Sequence, residues 1–372
     1  MLQEHLVYLS DSARLELFGQ AIRAVLKPGD RVADLGCGSG ILGLMSLQAG
    51  ASHVYAVDDG AMIHVARESL TRAGFGDRSS FIRRRSQQVE LPERVDVVVC
   101  DHVGHFGFDY GIVDLLRDAR RRFLKPGGVL IPARVHLQLA AVESELWYKP
   151  AAEWRAGTVP EEYRWLRDYS VNASLSINLK RDELLGTPTE LGVIDLCAGE
   201  ETFFTWKTEL RMERAGQVHG LAGWFVCELS PNVAMTNSPL APDKVNRAQA
   251  FLPIGEPVPV KAGEIAKATL MARPDDNLIA WTVEFPASGK RFSHSTWQGM
   301  LLSPEDLQRT HPARVPKANR EGLARGIVLG YCDGKRSARD IEQAVLREHP
   351  GLFPSPGEIS RFVARVLERD TG

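Results

Sequence analysis

The sequence has no apolar run long enough to span a bilayer and no hydrophobic start resembling a signal peptide, so no membrane partner is expected. Cysteine is sparse: Cys37, Cys100, Cys197, Cys227 and Cys332 are odd in number and scattered over 372 residues. No pair has the spacing of a zinc site, so neither a disulfide framework nor a metal centre is expected. Reduced thiols fit a cytoplasmic protein. An excess of one charge is missing as well. A net charge of −2 gives no overall attraction to nucleic acid or to an anionic membrane. The two short basic runs, Arg83-Arg84-Arg85 and Arg120-Arg121-Arg122, carry no interleaved aromatics and read as solvated faces.

What is present describes a globular protein. Hydrophobic residues make up 44% and charged residues 25%, and 372 residues exceed one ordinary core, so two or three domains are expected. The first third alternates helical and strand patterns, as a parallel sheet covered on both faces does. Candidate strands are 31–34, 53–57, 80–82, 95–100 and 128–130, and the stretch Leu124-Lys125-Pro126-Gly127-Gly128 reads as a helix end and tight turn. The fold class is α/β, a Rossmann-like doubly wound sheet over residues 1–133. Short alternating strands separated by Pro and Gly then run to about Glu284, among them 202–212, 219–229, 265–271 and 278–285. They predict a β-barrel or sandwich over 134–300, with Trp154–Tyr169 as a helical insertion. After Ser303 the helical spacing returns over 322–331, 338–348 and 357–368, a small helical module at 301–372.

The most informative stretch is Val32-Ala33-Asp34-Leu35-Gly36-Cys37-Gly38-Ser39-Gly40. A hydrophobic strand runs there into a glycine-rich turn and then a helix, which lets the backbone approach a ligand and aims helix N-terminal amides at it. Nicotinamide and flavin enzymes use a similar turn. Asp34 before the first glycine, and a second strand ending in Asp58, sharpen the reading: a carboxylate there is placed to hold a ribose. The combination resembles motif I and post-I of class I methyltransferases, which use S-adenosylmethionine.

Three further segments are similar to protein arginine methyltransferases. They are His5-Leu6-Val7-Tyr8-Leu9-Ser10-Asp11-Ser12-Ala13-Arg14 with Phe18, the loop beginning Asp101-His102-Val103-Gly104, and the run from Phe123 to Pro132. The resemblance covers roughly residues 1–290. It implies that Arg14, Asp34, Gly36, Cys37, Gly38, Gly40, Asp58, Ser86 and Gln87 bind the cofactor, with Arg14 on its carboxylate, Asp58 on the ribose and Ser86-Gln87 beside the adenine. By spacing alone Arg14 is a solvated helix charge.

Such enzymes hold a guanidinium with two glutamates of one loop, because bidentate carboxylate pairing orients a cation that stays protonated at neutral pH. Here the first position falls on Asp101 and the second on Tyr110, beside Asp109, so a clamp from Asp101 and Asp109 would have a different geometry. His102 and His105 share the loop and could take a proton, or could be polar rim residues. The family's Thr-His-Trp loop aligns with Val245-Asn246-Arg247, followed by Gln249, so its histidine is absent. Ser295-Thr296-Trp297-Gln298 looks like that motif but follows the barrel pattern and reads as packing. The family's aromatic-rich helix ahead of the position of His5 would fall before Met1, implying a shortened lid.

The segment from Gly326 to Phe362 resembles the small peptide-binding domain of pyrroloquinoline quinone biosynthesis, protein D, which captures a leader segment by strand addition. A helical cap or dimer contact is the alternative. The expected function is S-adenosylmethionine-dependent methyl transfer to a nitrogen of a peptide or protein, including a ribosomally made natural-product precursor. A small-molecule N- or O-methyltransferase of secondary metabolism and a binding scaffold without transfer remain open. The family's dimers imply a homodimer, with Trp154–Tyr169 as the candidate arm.

Overall fold

A computed structural model of the chain describes residues 2–154 and 157–371, which divide into two compact units, 1–301 and 302–372. In the first, helices α1 (Leu2–Ser10) and α2 (Ser12–Val25) precede strand β1 (Arg31–Leu35). Helix α3 (Ile41–Gln48), β2 (His53–Asp58), α4 (Met62–Arg72), β3 (Ser79–Arg83), β4 (Val95–Cys100), α5 (Ile112–Arg122) and β5 (Leu124–Ile131) follow. The five strands form the expected parallel sheet, in the order β3-β2-β1-β4-β5. Strand β4 is buried at five of its six positions, which is why its sequence is an almost unbroken run of Val. The chain reverses its winding direction between β1 and β4, and open α/β sheets bind ligands at such a switch point, outside the carboxyl ends of the strands.

One expectation fails here. Residues 124–128 do not form a turn: α5 ends at Arg122 and β5 starts at Leu124. A register shift opposite Asp96 absorbs Pro126 and Gly127, and β5 is the edge strand, where the missing N–H of Pro126 breaks no outer ladder.

The chain then enters β6 (Arg134–Val142), helices α6 (Glu145–Glu153) and α7 (Arg167–Ser170), and strands β7 (Leu175–Ile177), β8 (Thr189–Asp195), β9 (Phe204–Arg211), β10 (Gly216–Ser230), β11 (Val233–Thr236), β12 (Gln249–Val260), β13 (Ile265–Arg273), β14 (Leu278–Phe285) and β15 (Lys290–Ser295). One antiparallel sheet runs β7-β12-β10-β6-β8 with β11 on β10, and the other runs β15-β14-β13-β9. These are the strands of the expected barrel domain. Beyond the strand pattern read to about Glu284, but within the expected 134–300, β15 pairs along β14 up to Ser295. Strand β12 escapes sequence reading because of Pro253, Pro257 and Pro259. They are tolerated because β7 covers only Gln249–Phe251 and leaves that flank without a ladder partner in the sheet. Of Ser295-Thr296-Trp297-Gln298, Thr296 accepts the Ile279 N–H at 3.0 Å, whereas Trp297 is 53% exposed and is not a packing residue. Residues 155 and 156 of the expected insertion lie outside the described residues. The rest of it comprises a 3-10 turn at Glu161–Leu166 and α7.

The second unit contains α8 (Pro304–Thr310), α9 (Arg320–Gly330), α10 (Ala338–Glu348) and α11 (Pro356–Asp370). Ser303, Asn319, Ser337 and Ser355 each accept a first-turn N–H, which sets the four helix starts. Val328, Val345, Ile359 and Val363 fill the core between the last three helices. Among its described residues there is no strand, so it presents no sheet edge to which a leader segment could add.

The two barrel sheets are linked by Trp281 of β14, whose buried Nε1–H donates to the Pro253 carbonyl of β12 at 2.9 Å. Trp281→Phe keeps an aromatic ring but removes that donor. We expect urea unfolding to show a loss of roughly 1–2 kcal/mol.

Candidate active site

Leu35 of β1 pairs with Cys100 of β4, so the next residue on each strand, Gly36 and Asp101, leaves the sheet beside the other. The chain folds back over β2, with the Gly36 and Cys37 amides donating to the Val57 carbonyl at 2.8 and 3.1 Å. Gly36 and Gly38 hold φ of 64° and 51°, a region that favours glycine. A Cβ on Gly36 would lie 2.0 Å from His102 Nε2, and one on Gly38 would lie 2.8 Å from His5 Cε1. The turn is therefore bare backbone bordered by two imidazoles. Asp58 shapes it from below: its carboxylate accepts from Gly38 N at 2.8 Å and from Gly60 N at 2.7 Å. Asp34 accepts from Gly43 N at 2.8 Å, and burial pushes its carboxyl pKa up to about 7, against a partial counter-effect from that bond.

A cleft of about 260 Å³ opens over this turn. It gathers Arg14, Asp34, Gly36, Cys37, Gly38, Asp58, Asp101 and His102 from the sequence-predicted set, and adds His5, Tyr8 and Tyr110. Three predicted cofactor residues do not line it. Gly40 caps α3 with φ 79°, and its missing Cβ makes room for Ala66 of α4, which would lie 2.8 Å away. Ser86 is buried with its carbonyl held by Arg122 at 2.7 Å, and Gln87 reaches Asp114 at 3.4 Å, so both are drawn toward α5. The Cys37 thiol is pushed up by burial and stays neutral.

At the cleft wall, Asp101 Oδ2 accepts from Arg14 Nε at 2.5 Å and from Arg247 Nη2 at 2.9 Å. All three side chains are less than 10% exposed. Burial works to raise the Asp101 pKa, but Arg247 and then Arg14 outweigh it and hold the group below the usual carboxylate range. The Tyr8 ring faces both guanidinium carbons, at 5.6 Å from Arg14 and 5.9 Å from Arg247. Two atoms of the cluster, Asp101 Oδ1 and Arg247 Nη1, are buried without a partner. Arg14 spends its Nε on Asp101 and its Nη1 on the Tyr8 carbonyl at 3.1 Å, and it still lines the cleft.

The expected pair of free carboxylates is not present. Asp109 Oδ1 accepts from the amides of His105 and Phe106, both at 2.9 Å, so this carboxyl closes the loop on itself. Burial raises its pKa. His102 lies over Gly36. His105 points elsewhere: its Nε2 meets Tyr110 Oη and Ser176 Oγ, each at 3.2 Å, and its Nδ1 is buried without a partner. His105 and Asp109 line a second cavity of about 370 Å³, walled on the barrel side by Asn172, Ser174, Ser176, Asn277 and Thr296. Tyr110 lines both cavities.

Sequence reading passed over three residues that build this site. Asn237, fully buried, donates to the carbonyls of His105 at 2.8 Å and Ala248 at 2.6 Å and accepts from Phe225 N, so it fixes the loop to the barrel. Nothing in its neighbourhood marks it. Arg247 sits in the segment noted only for its absent histidine, and Tyr8 lies inside the quoted N-terminal motif.

The residues suit S-adenosylmethionine. A bare glycine turn ends beside Asp58, and one carboxylate against two guanidiniums leaves a buried excess of one positive charge where an amino-acid carboxylate would be complementary. Among the described residues no group of three or more His, Cys, Asp or Glu could hold a metal.

Two outcomes follow from these charges. Because the folded-state pKa of Asp34, about 7, lies above its ordinary value, the stability it confers is present at acid pH and is lost as pH rises through 7. Urea midpoints should therefore fall from pH 6 to pH 8, and Asp34→Asn should flatten that slope. Asp101→Asn leaves two buried guanidiniums without their counter-charge. Its cost should be roughly 3–5 kcal/mol, read as a lowered melting temperature.

The family model described as ribosomal protein L11 methyltransferase (PrmA) matches residues 16–166. Protein arginine N-methyltransferase 1 of Chlamydomonas reinhardtii is 30% identical over 226 residues, 59% of this chain and 66% of that one. The Schizosaccharomyces pombe protein of the same name is 28% identical, covering 65% and 73%. Among solved structures, the Trypanosoma brucei protein arginine methyltransferase 1 enzyme–prozyme heterotetramer with S-adenosylhomocysteine superposes with a TM-score of 0.71 at 20% identity, covering 79% of this chain and 98% of that one. Arabidopsis thaliana protein arginine methyltransferase 10 gives 0.68 at 22% identity, covering 80% and 98%. The structural likeness is one of fold. The sequence relatives and the cofactor cleft identify the chain as a class I S-adenosylmethionine-dependent methyltransferase, similar to the protein arginine methyltransferases.

Proposed function

We propose that the chain transfers a methyl group to a nitrogen nucleophile on a peptide or protein. The observation that carries this reading is that the cofactor cleft and the polar cavity under the barrel meet at Tyr110. An acceptor side chain lodged between loop 101–110 and the barrel would face the cleft, while the polypeptide bearing it lies outside. S-adenosylmethionine, when bound, supplies a methyl on an electrophilic sulfonium. Gly36 and Gly38 admit it, Asp58 holds the ribose hydroxyls, and Arg14, which lines the cleft, faces its carboxylate. The relatives named above are, by name, methyltransferases of arginine or of a ribosomal protein, which favours a polypeptide acceptor.

The helical unit 302–372 is assigned recruitment of that polypeptide, with a short ribosomally made precursor as the substrate class. Capture would use a helical surface, since strand addition has no edge to use. The segment Trp154–Tyr169 is the proposed arm of a homodimer. A reducing cytoplasm suits five free cysteines.

Incubation with methyl-labelled S-adenosylmethionine, a peptide library and intact proteins tests this. Label should appear in polypeptide. Label confined to small molecules, or no label despite cofactor binding, overturns it.

A further inference from the structure

We propose that Arg247 acts as an internal guanidinium, occupying Asp101 in place of a cationic acceptor, so that the site takes an uncharged nitrogen rather than arginine. This rests on the methyl-transfer reading above. Arg247 enters from the segment between β11 and β12, and its Nη2 sits 2.9 Å from Asp101 Oδ2. Arg14 takes the same oxygen. Asp101 is the carboxylate at the end of β4, and it lines the cleft. An arriving guanidinium or ammonium would find that carboxylate already engaged by two guanidiniums.

The next carboxyl on the loop offers no relief. Asp109 Oδ1 is held by two loop amides, and burial favours the neutral form of the group. Bringing a cation to such a place means desolvating it without a counter-charge, which is costly in a buried site. Apart from Asp109, the polar groups lining the acceptor cavity are uncharged or proton-accepting, among them His105, Tyr110 and Ser176.

These groups suit an acceptor nitrogen that keeps its lone pair at neutral pH. Among peptide side chains that is the histidine imidazole, since lysine and arginine are protonated. Its lone pair forms the new N–C bond while the C–S pair leaves with the sulfur, which becomes a neutral thioether. The acceptor's N–H proton passes to His105. Arg247 is then a specificity-determining residue: it sets which acceptor charge the cleft tolerates.

The experiment uses the full chain with labelled cofactor and three peptide pools of matched length, each with arginine, lysine or histidine as its only basic residue. Label should enter the histidine pool at least 10-fold faster than either other pool, and hydrolysis of labelled product should yield methylhistidine without methylarginine. Methyl on guanidinium or ammonium at a comparable rate overturns the inference and leaves the proposed function standing. No transfer to any polypeptide overturns the proposed function itself. In Arg247→Met, binding of S-adenosylhomocysteine checks that the cleft is intact. Calorimetry without cofactor should show that variant binding the arginine pool at least 10-fold tighter than the parent does. Equal binding by parent and variant overturns the role of Arg247. If the variant fails to fold, the product analysis on the parent chain still decides the acceptor.

Discussion

The charged contact of Asp101 with Arg14 and Arg247 joins three parts of the first unit at one oxygen. Arg14 comes from the N-terminal helix α2, Asp101 from the end of the interior strand β4, and Arg247 from the barrel segment leading into β12. Burying three charges is unfavourable unless they are paired and hydrogen-bonded, so these elements must meet in one arrangement or leave ions stranded. The contact therefore specifies how helix, sheet and barrel meet around the cleft. It also leaves Asp101 Oδ1 and Arg247 Nη1 without partners, so the network ends in open positions rather than closing on itself.

Around that contact the fold supplies rigid support. Parallel pairing of β1 with β4 brings the glycine turn beside Asp101. Asn237 then pins the loop after Asp101 to the barrel through the His105 carbonyl, and Asp109 closes the same loop through two amides. Two carboxyls and a carboxamide that could have served as ligands to an acceptor are used instead to hold the loop. This economy is what separates the site from a two-carboxylate guanidinium clamp. The frame resembles its relatives in fold, while the carboxyls of this loop are engaged within the chain.

Much of the frame was legible in the sequence. The hydrophobic strand, the glycine turn and the acid ending β2 appear in order along a short stretch, and each is a local demand of backbone geometry. The helical module was legible for a similar reason: Ser337 and Ser355 mark helix starts, and apolar residues recur at helical spacing. Strand β12 was hidden by its prolines, since an unpartnered flank that tolerates them is not a local property. The 124–128 run misled because Pro-Gly-Gly normally ends pairing, and only its place at a sheet edge allows a bulge.

The sequence by itself determined the cofactor side of this protein, because the turn, Asp34 and Asp58 act through contacts within one β-α-β stretch. The tertiary structure alone decided the acceptor side. Asp101 and Arg247 stand 146 positions apart, and whether a carboxylate is free or already paired depends on what the barrel brings to it. The same holds for Asn237, an unremarkable residue in sequence, which acquires its role by reaching His105 across 132 positions. Charge pairing between distant segments follows from packing, and no local pattern records it.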